Sequence, residues 1–309
     1  MKALFFLLAA SFLVLSASAQ TRKGFDVSNS TIPLNEILDG GPAPDGIPSI
    51  DAPQFVSVKE ADRWLKPGDR VIALTLNGES RAYPIRILVW HEIVNDHVGD
   101  RAVAVTYCPL CGTAMIFDAS PQGRPLEFGV SGLLYQSDVL MYDRESESLW
   151  SQLMMEAVSG PQVGTKLTLI ESYDQTWKAW KDRHPEGKVL SRKTGHPRNY
   201  NNPPYEGYEK RGRPLFPVRQ YREDLEPMNW VAGVLWEEGS VAFPIEELKA
   251  TKKVKIRFKS RVLEAEMEPK SEKITVRDGE TGETLPVTKA YWFAWQAFYP
   301  ETGLYLPKP

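Results

Sequence analysis

The segment from His91 to Cys111 is the part of this 309-residue chain where possible metal ligands and nucleophiles are most concentrated, with two histidines and both cysteines. Cys108 and Cys111 are the only two cysteines, and both belong to the run CPLCG. Cysteines at i and i+3 around a tight turn point both sulfur atoms at one position, as in a metal knuckle. A disulfide between them would close a very small ring and would add little stability. We therefore predict a metal or thiol site at this turn.

One such turn supplies two ligands, so the remaining ligands must be His, carboxylate or Met. His91 lies one predicted helix and one turn upstream, and we predict it as the third metal ligand beside Cys108 and Cys111. Mixed thiolate and imidazole ligation suits zinc or copper, and Met115, four residues past Cys111, favours copper. The predicted cofactor is thus a transition metal, copper or zinc, with an open fourth position.

Two alternative functions use the same thiols, and a third uses neither. A CxxC pair directly after a strand is also how thiol–disulfide oxidoreductases present their cysteines, although those enzymes place the pair at a helix N-terminus and residues 113–117 are strand-like here. A nucleophilic cysteine with His91 as base and Asn95 or Asp96 as orienting group would make a covalent enzyme. The third alternative is a non-enzymatic ligand-binding module whose aromatic-rich loops hold a glycan or polymer.

Two hydrolase signatures are absent from the sequence. The run HEIVN at residues 91–95 lacks the second His of zinc proteases, and residues 129–132 do not form a G-x-S-x-G elbow. Asp143 and Gln152 lie in a polar and aromatic segment that could line a pocket. With Asn95, they are the candidate catalytic residues. The sequence leaves open whether the protein is an enzyme.

The elements that would position the site are mostly strands. Residues 71–76 and 80–83 predict a hairpin around an Asn-Gly turn. Residues 86–96 predict a partly buried helix, and residues 102–107 predict the strand that delivers Cys108.

The hairpin pattern of residues 71–88 returns in residues 231–248, at an offset of 160 without a gap. Strand, turn, strand, aromatic-Pro-Ile and a short helix recur in the same order, which predicts two related β-rich halves. The predicted fold class is α+β, mainly β, with few short helices. His91 falls opposite Thr251, and the second copy contains neither Cys nor His. We therefore expect any chemistry to lie in the first copy.

This division predicts four segments. Residues 1–19 form a signal peptide, residues 20–182 the first half with the His/CxxC site, residues 183–226 an irregular connector, and residues 227–309 the second half. Within the second half, the aromatic run YWFAWQAFYP at residues 291–300 predicts a core strand.

The first residues of the chain predict export. A lysine, an apolar run and the small residues Ser16 to Ala19 form a signal-peptide pattern with cleavage after Ala19, which indicates a periplasmic or secreted protein. The net charge of −3 is too mild to indicate a nucleic-acid partner, and no later stretch is apolar enough to span a membrane. We expect a small molecule or a metal ion as partner and predict no oligomeric state.

Several long motifs resemble those of the bacterial and archaeal domain-of-unknown-function 3179 family. The similar runs are YPIRILVWHEIVNDHVGD, VTYCPLCGTAMIFD and FGVSGLLYQSDVLMYDRESESLWSQ, and the similarity extends from about residue 43 to 305. The resemblance implies a common exported fold and no established activity. It also implies that nine positions match the motifs of the family: Asp45, His91, Asn95, Cys108, Cys111, Ser131, Asp143, Trp150 and Gln152.

Overall fold

A computed structural model describes residues 20–307, so the predicted signal peptide lies outside the described residues. Within this range there are five short α-helices: α1 (Val58–Ala61), α2 (Ile85–His91), α3 (Trp177–Arg183), α4 (Ile245–Thr251) and α5 (Trp292–Phe298). Single 3-10 turns occur at Leu34–Glu36, Pro121–Gly123 and Glu209–Arg211. None of the described helices is long and apolar enough to cross a membrane.

Strands make up most of the regular structure. Those up to residue 190 are β1 (Thr21–Arg22), β2 (Phe25–Asp26), β3 (Ile37–Asp39), β4 (Phe55–Ser57), β5 (Arg70–Leu76), β6 (Glu79–Pro84), β7 (Ile93–Val98), β8 (Arg101–Cys108), β9 (Thr113–Asp118), β10 (Phe128–Tyr135), β11 (Asp138–Asp143), β12 (Leu149–Ser151), β13 (Glu156–Ser159), β14 (Thr168–Ile170), β15 (Ser172–Thr176) and β16 (Lys188–Leu190). The later strands are β17 (Trp230–Trp236), β18 (Gly239–Pro244), β19 (Lys253–Phe258), β20 (Arg261–Met267), β21 (Ile274–Asp278), β22 (Thr284–Leu285), β23 (Val287–Tyr291) and β24 (Gly303–Leu304). The predicted class, α+β and mainly β, is confirmed.

These strands form several small sheets rather than one large one. The first half has a hairpin sheet of order β15-β5-β6-β16-β4, a site sheet of order β14-β9-β8-β7 and an inserted sheet of order β13-β12-β11-β10-β3. The later residues form a second hairpin sheet, β23-β17-β18-β24, and a C-terminal meander, β19-β20-β21-β22. Strand β16 lies inside the segment predicted as connector and pairs with β6 and β4.

The predicted hairpin is present, whereas the predicted helix over residues 86–96 is wrong in its second part. Asn77 and Gly78 both have positive φ, 51° and 78°, as a tight two-residue turn requires. Helix α2 ends at His91, and Asn95 lies in β7 opposite Ala104. The reason is that residues 93–98 are buried at five of six positions although three of their side chains are polar, so their sequence lacks the alternation that marks a strand.

The elements of residues 70–98 recur in residues 230–258 with every bound shifted by 160, from β5 and β17 through α2 and α4 to β7 and β19. Helices α3 and α5 also correspond, because each follows an edge strand of a hairpin sheet and carries two tryptophans three residues apart. Common descent of the two halves from one unit stays a prediction.

The aromatic run at residues 291–300 is mainly a helix, so the predicted core strand is wrong there. Only its first residue, Tyr291, ends a strand, and α5 follows with residues 292–296 all buried. Trp292 and Trp295 stand one helical turn apart. A run that is apolar on every side carries no helical stripe, which is why the sequence pattern did not reveal it.

One hydrophobic cluster runs through both halves. It contains Cys108, Cys111 and Phe128 of the first half, Tyr208 of the predicted connector, and Phe293 of α5. The CxxC turn therefore lies where the site sheet, the inserted sheet and the second half meet.

Candidate metal and thiol site

The CxxC turn closes the hairpin between β8 and β9. Cys108 is the last residue of β8 and pairs with Thr113, the first residue of β9. Gly112 has a φ of +67°, and a Cβ there would lie 2.3 Å from the Trp230 ring, so only glycine fits without rearrangement. The Tyr291 N–H donates to the Cys111 carbonyl oxygen at 2.9 Å. The turn is thus held in part by residues of the second half.

A second hairpin brings Asp138 to the thiols. Strands β10 and β11 are joined by Gln136 and Ser137, whose φ values are 51° and 66°, and Asp138 begins β11. The Cys111 thiol donates to the Ser137 carbonyl oxygen at 3.3 Å. The Leu153 N–H donates to Asp138 Oδ2 at 3.0 Å. Asp138 Oδ1 is buried and has no hydrogen-bond partner among residues 20–307.

The two sulfur atoms and one carboxylate oxygen form a donor cluster. Ligand atoms of Cys108, Cys111 and Asp138 all lie within 4.8 Å of one another, and all three residues are buried. Burial raises the pKa of both thiols, and the neighbouring Cys108 raises that of Cys111 further. Burial also raises the pKa of Asp138 to about 7, against the lowering effects of the Leu153 and Val139 N–H groups and of the two neighbouring thiols. Ionising this cluster therefore requires a positive charge to compensate.

Glu92 is a second buried carboxylate beside this cluster. It follows the last residue of α2 with a φ of 59°, and its side chain is almost fully buried. Burial, followed by the charge of Asp138, raises its pKa to about 8. Its charge in turn contributes to the raised pKa of Cys108. The two thiols, Asp138 and Glu92 are therefore four buried ionisable groups in one region of the fold.

His91 is held away from the cluster by its own hydrogen bonds. Its Nδ1 lies 2.7 Å from the Pro48 carbonyl oxygen, and its Nε2 lies 2.8 Å from the Tyr200 hydroxyl. Burial, with smaller contributions from the nearby His196 and Arg198, lowers its pKa to about 4. Ligation through His91 would require one of these hydrogen bonds to break. The role of His91 as third ligand stays a prediction. The side chain that lies beside the two thiols is that of Asp138.

The three candidate catalytic residues connect structural elements. Asn95 Nδ2 donates to the Phe128 carbonyl oxygen at 2.9 Å, and the Phe128 N–H donates back to Asn95 Oδ1, which joins β7 to the inserted sheet. Asp143 Oδ2 accepts the indole N–H of Trp150 at 2.8 Å. Gln152 Oε1 accepts the Thr113 hydroxyl at 2.5 Å. These bonds account for their burial, and a catalytic role for any of them stays a prediction.

A cleft of about 380 Å³ opens beside the CxxC turn. Its lining includes Tyr107 and Pro109 of that turn region and Tyr205, Tyr208 and Tyr291 opposite them. Neither cysteine lines the cleft, although Tyr107 and Pro109 are the chain neighbours of Cys108. Cavities of this size hold small molecules.

Sequence patterns alone did not identify Asp138 or Glu92. Asp138 comes 27 residues after Cys111, so only the pairing of β10 with β11 and the packing of that hairpin on the CxxC turn bring it close. Glu92 lies in the run HEIVN, which lacks the second His of a zinc protease and so does not predict a role for this carboxylate. The usable signal for Asp138 is an acidic residue directly before the apolar run of residues 139–141, in a strand that is buried throughout.

Comparison with known proteins gave one match. The family model described as protein of unknown function (DUF3179) matches residues 44–302, which include both hairpins and all of the cluster. No curated protein and no solved structure matched the chain. The chain therefore belongs to the DUF3179 family.

Proposed function

We propose that the protein binds a transition metal ion through Cys108, Cys111 and Asp138. The observation that carries this proposal is the buried group of two thiols and one carboxylate, whose ligand atoms all lie within 4.8 Å of one another. Burial disfavours the ionised carboxylate of Asp138, and a bound cation would offset that cost. A cation would also stabilise the thiolates that the apolar surroundings disfavour.

The donor set favours zinc over copper. Zinc accepts thiolate and carboxylate ligands together, whereas copper(I) selects soft thiolate and thioether ligands. Ligands at about 2.0–2.3 Å from a tetrahedral zinc ion lie roughly 3.5 Å apart, so the cluster needs only small side-chain movements. This choice revises the preference that Met115 gave at the level of sequence.

Three protein ligands would leave a fourth position open, as in catalytic zinc sites. Glu92 is a further buried carboxylate whose charge acts on Cys108, and Pro109, which follows Cys108 in the chain, lines the 380 Å³ cleft. A small molecule in that cleft would be close to the metal. The signal-peptide pattern of residues 1–19 supports the further proposal that the protein is exported and binds its metal outside the cytoplasm.

Thiol–disulfide exchange has weaker support. Reactive cysteines are partly exposed, have a lowered pKa and often begin a helix. Here both thiols are buried, their pKa is raised, and strand β9 follows them.

Metal content after purification without chelators, followed by reconstitution with zinc, tests the proposal. We expect about one zinc ion per chain in the wild type, and an affinity at least tenfold lower for Cys108→Ser, Cys111→Ser and Asp138→Asn. Asp100→Asn, in the exposed turn between β7 and β8, is the matched control and should bind as the wild type does.

His91→Gln separates the two possible ligand sets. Retention of metal by His91→Gln together with loss in Asp138→Asn supports the cluster described above. The reverse result would restore His91 as the third ligand. A wild-type protein that holds neither zinc nor copper after reconstitution would disprove metal binding altogether.

A further inference from the structure

A second cleft, distinct from the thiol site, concentrates positive charge in a chain whose net charge is −3. We define the basic cleft by its charged and titratable lining residues. The basic ones are Arg63, Arg192, Lys193, His196 and Arg198, and the acidic one is Glu60. Four permanent cations therefore face one carboxylate.

The cations of the basic cleft have no carboxylate partners within the described range. Arg63, Arg192, Lys193 and Arg198 form no salt bridge with residues 20–307, and the buried Nε of Arg198 has no hydrogen-bond partner there. Arginines elsewhere in the same half are commonly paired, as Arg86 is with Asp69. Unpaired guanidinium groups that converge on a concavity provide a site for anions.

Aromatic rings hold two of these guanidinium groups in place. Arg192 lies over the Trp64 ring at 5.8 Å, and Arg198 lies over the Trp90 ring at 5.6 Å. Tyr200, which also lines the cleft, is buried and held by two hydrogen bonds. Its hydroxyl contacts Thr194 Oγ1 at 2.5 Å and His91 Nε2 at 2.8 Å. Groups positioned before binding lose less entropy when the ligand arrives.

We propose that the basic cleft binds a small molecule with two or more anionic groups, either phosphates or carboxylates. The cavity of about 700 Å³ has the size of a small-molecule site. A long polyanion is disfavoured because the chain as a whole carries a net negative charge, so its positive charge is concentrated in the cleft. The proposal does not depend on the metal site.

Calorimetric titration of the full-length mature protein with pyrophosphate and, separately, with citrate tests this proposal at about 50 mM salt, where screening is weak. We expect saturable binding of at least one of the two, and which one binds distinguishes phosphate from carboxylate ligands. Arg192→Gln/Arg198→Gln should weaken binding about tenfold or more, because each removes a charge-assisted hydrogen-bond donor. Lys193→Gln, at an exposed position, should weaken it in the same direction.

Arg124→Gln/Arg213→Gln is the matched control, since it removes the same charge from two exposed positions outside the cleft. Its affinity should stay within about twofold of the wild type. Equal weakening in the control would show nonspecific attraction and overturn the proposal. So would the absence of saturable binding up to about 10 mM ligand, or binding of long polyanions such as heparin alone.

Discussion

At the scale of single residues, Gly112 connects the site to the rest of the molecule. Its Cα faces the rings of Trp230 and Tyr291, both from the second half, while its neighbour Cys111 carries a candidate ligand. The positive φ lets the chain curl beneath the two sulfur atoms. The geometry of the thiols therefore depends on a contact that the local sequence does not reveal.

We predict that Gly112→Ala lowers the free energy of unfolding by about 2–4 kcal/mol, because it combines a strained φ with a clash against a packed ring. Gly78→Ala is the control, since Gly78 also has a positive φ of 78° but has open space where the Cβ would lie. That control should lose only about 1 kcal/mol. Urea unfolding measures both, and equal losses would show that the Trp230 contact is unimportant.

At the scale of elements, the hairpin strands and the strand before Cys108 could be predicted, whereas the contacts between sheets could not. The Asn77-Gly78 hairpin and a strand ending at Cys108 follow from turn chemistry and alternation. The end of α2 at His91 did not follow, because the strand after it buries polar and apolar side chains alike. The helix at residues 292–298 did not follow, because its almost uniformly apolar run lacks a period. Asp138 depends on the packing of one hairpin against another, which no local pattern specifies.

The corresponding helices α2 and α4 end in the same unusual way. Glu92 and Lys252, which follow them, have φ values of 59° and 63°, and each N–H donates to the carbonyl oxygen four residues earlier. Glycine is the residue that adopts positive φ without strain at this position. Glu92 is buried beside the candidate site, whereas Lys252 is exposed.

We predict that Lys252→Gly raises the free energy of unfolding by up to about 1 kcal/mol, because it relieves positive-φ strain without removing a buried group. Lys252→Ala keeps a Cβ and should bring no such gain. Urea denaturation compares the two variants with the wild type. A loss of stability in Lys252→Gly would show that the lysine side chain, rather than the backbone, matters at this helix end.

At the scale of the whole molecule, the two halves share their interior. The hydrophobic cluster around the CxxC turn includes Phe128 from the inserted sheet and Tyr291, Phe293 and Ala294 from the second half. Tyr208, in the segment predicted as connector, packs in the same cluster. A division into independently stable domains would expose this shared apolar surface to water.

We therefore predict that the described chain unfolds in one cooperative transition, although chains longer than about 150 residues often do not. Val276→Ala, in the core of the C-terminal meander, and Val105→Ala, in the core of the site sheet, should each lower stability by about 1–3 kcal/mol. Tryptophan fluorescence and far-UV circular dichroism should report the same midpoint in every case. If Val276→Ala shifted only part of the transition, the second half would be a separate folding unit. The contacts of Trp230 and Tyr291 with the CxxC turn would then be lost before the first half unfolds.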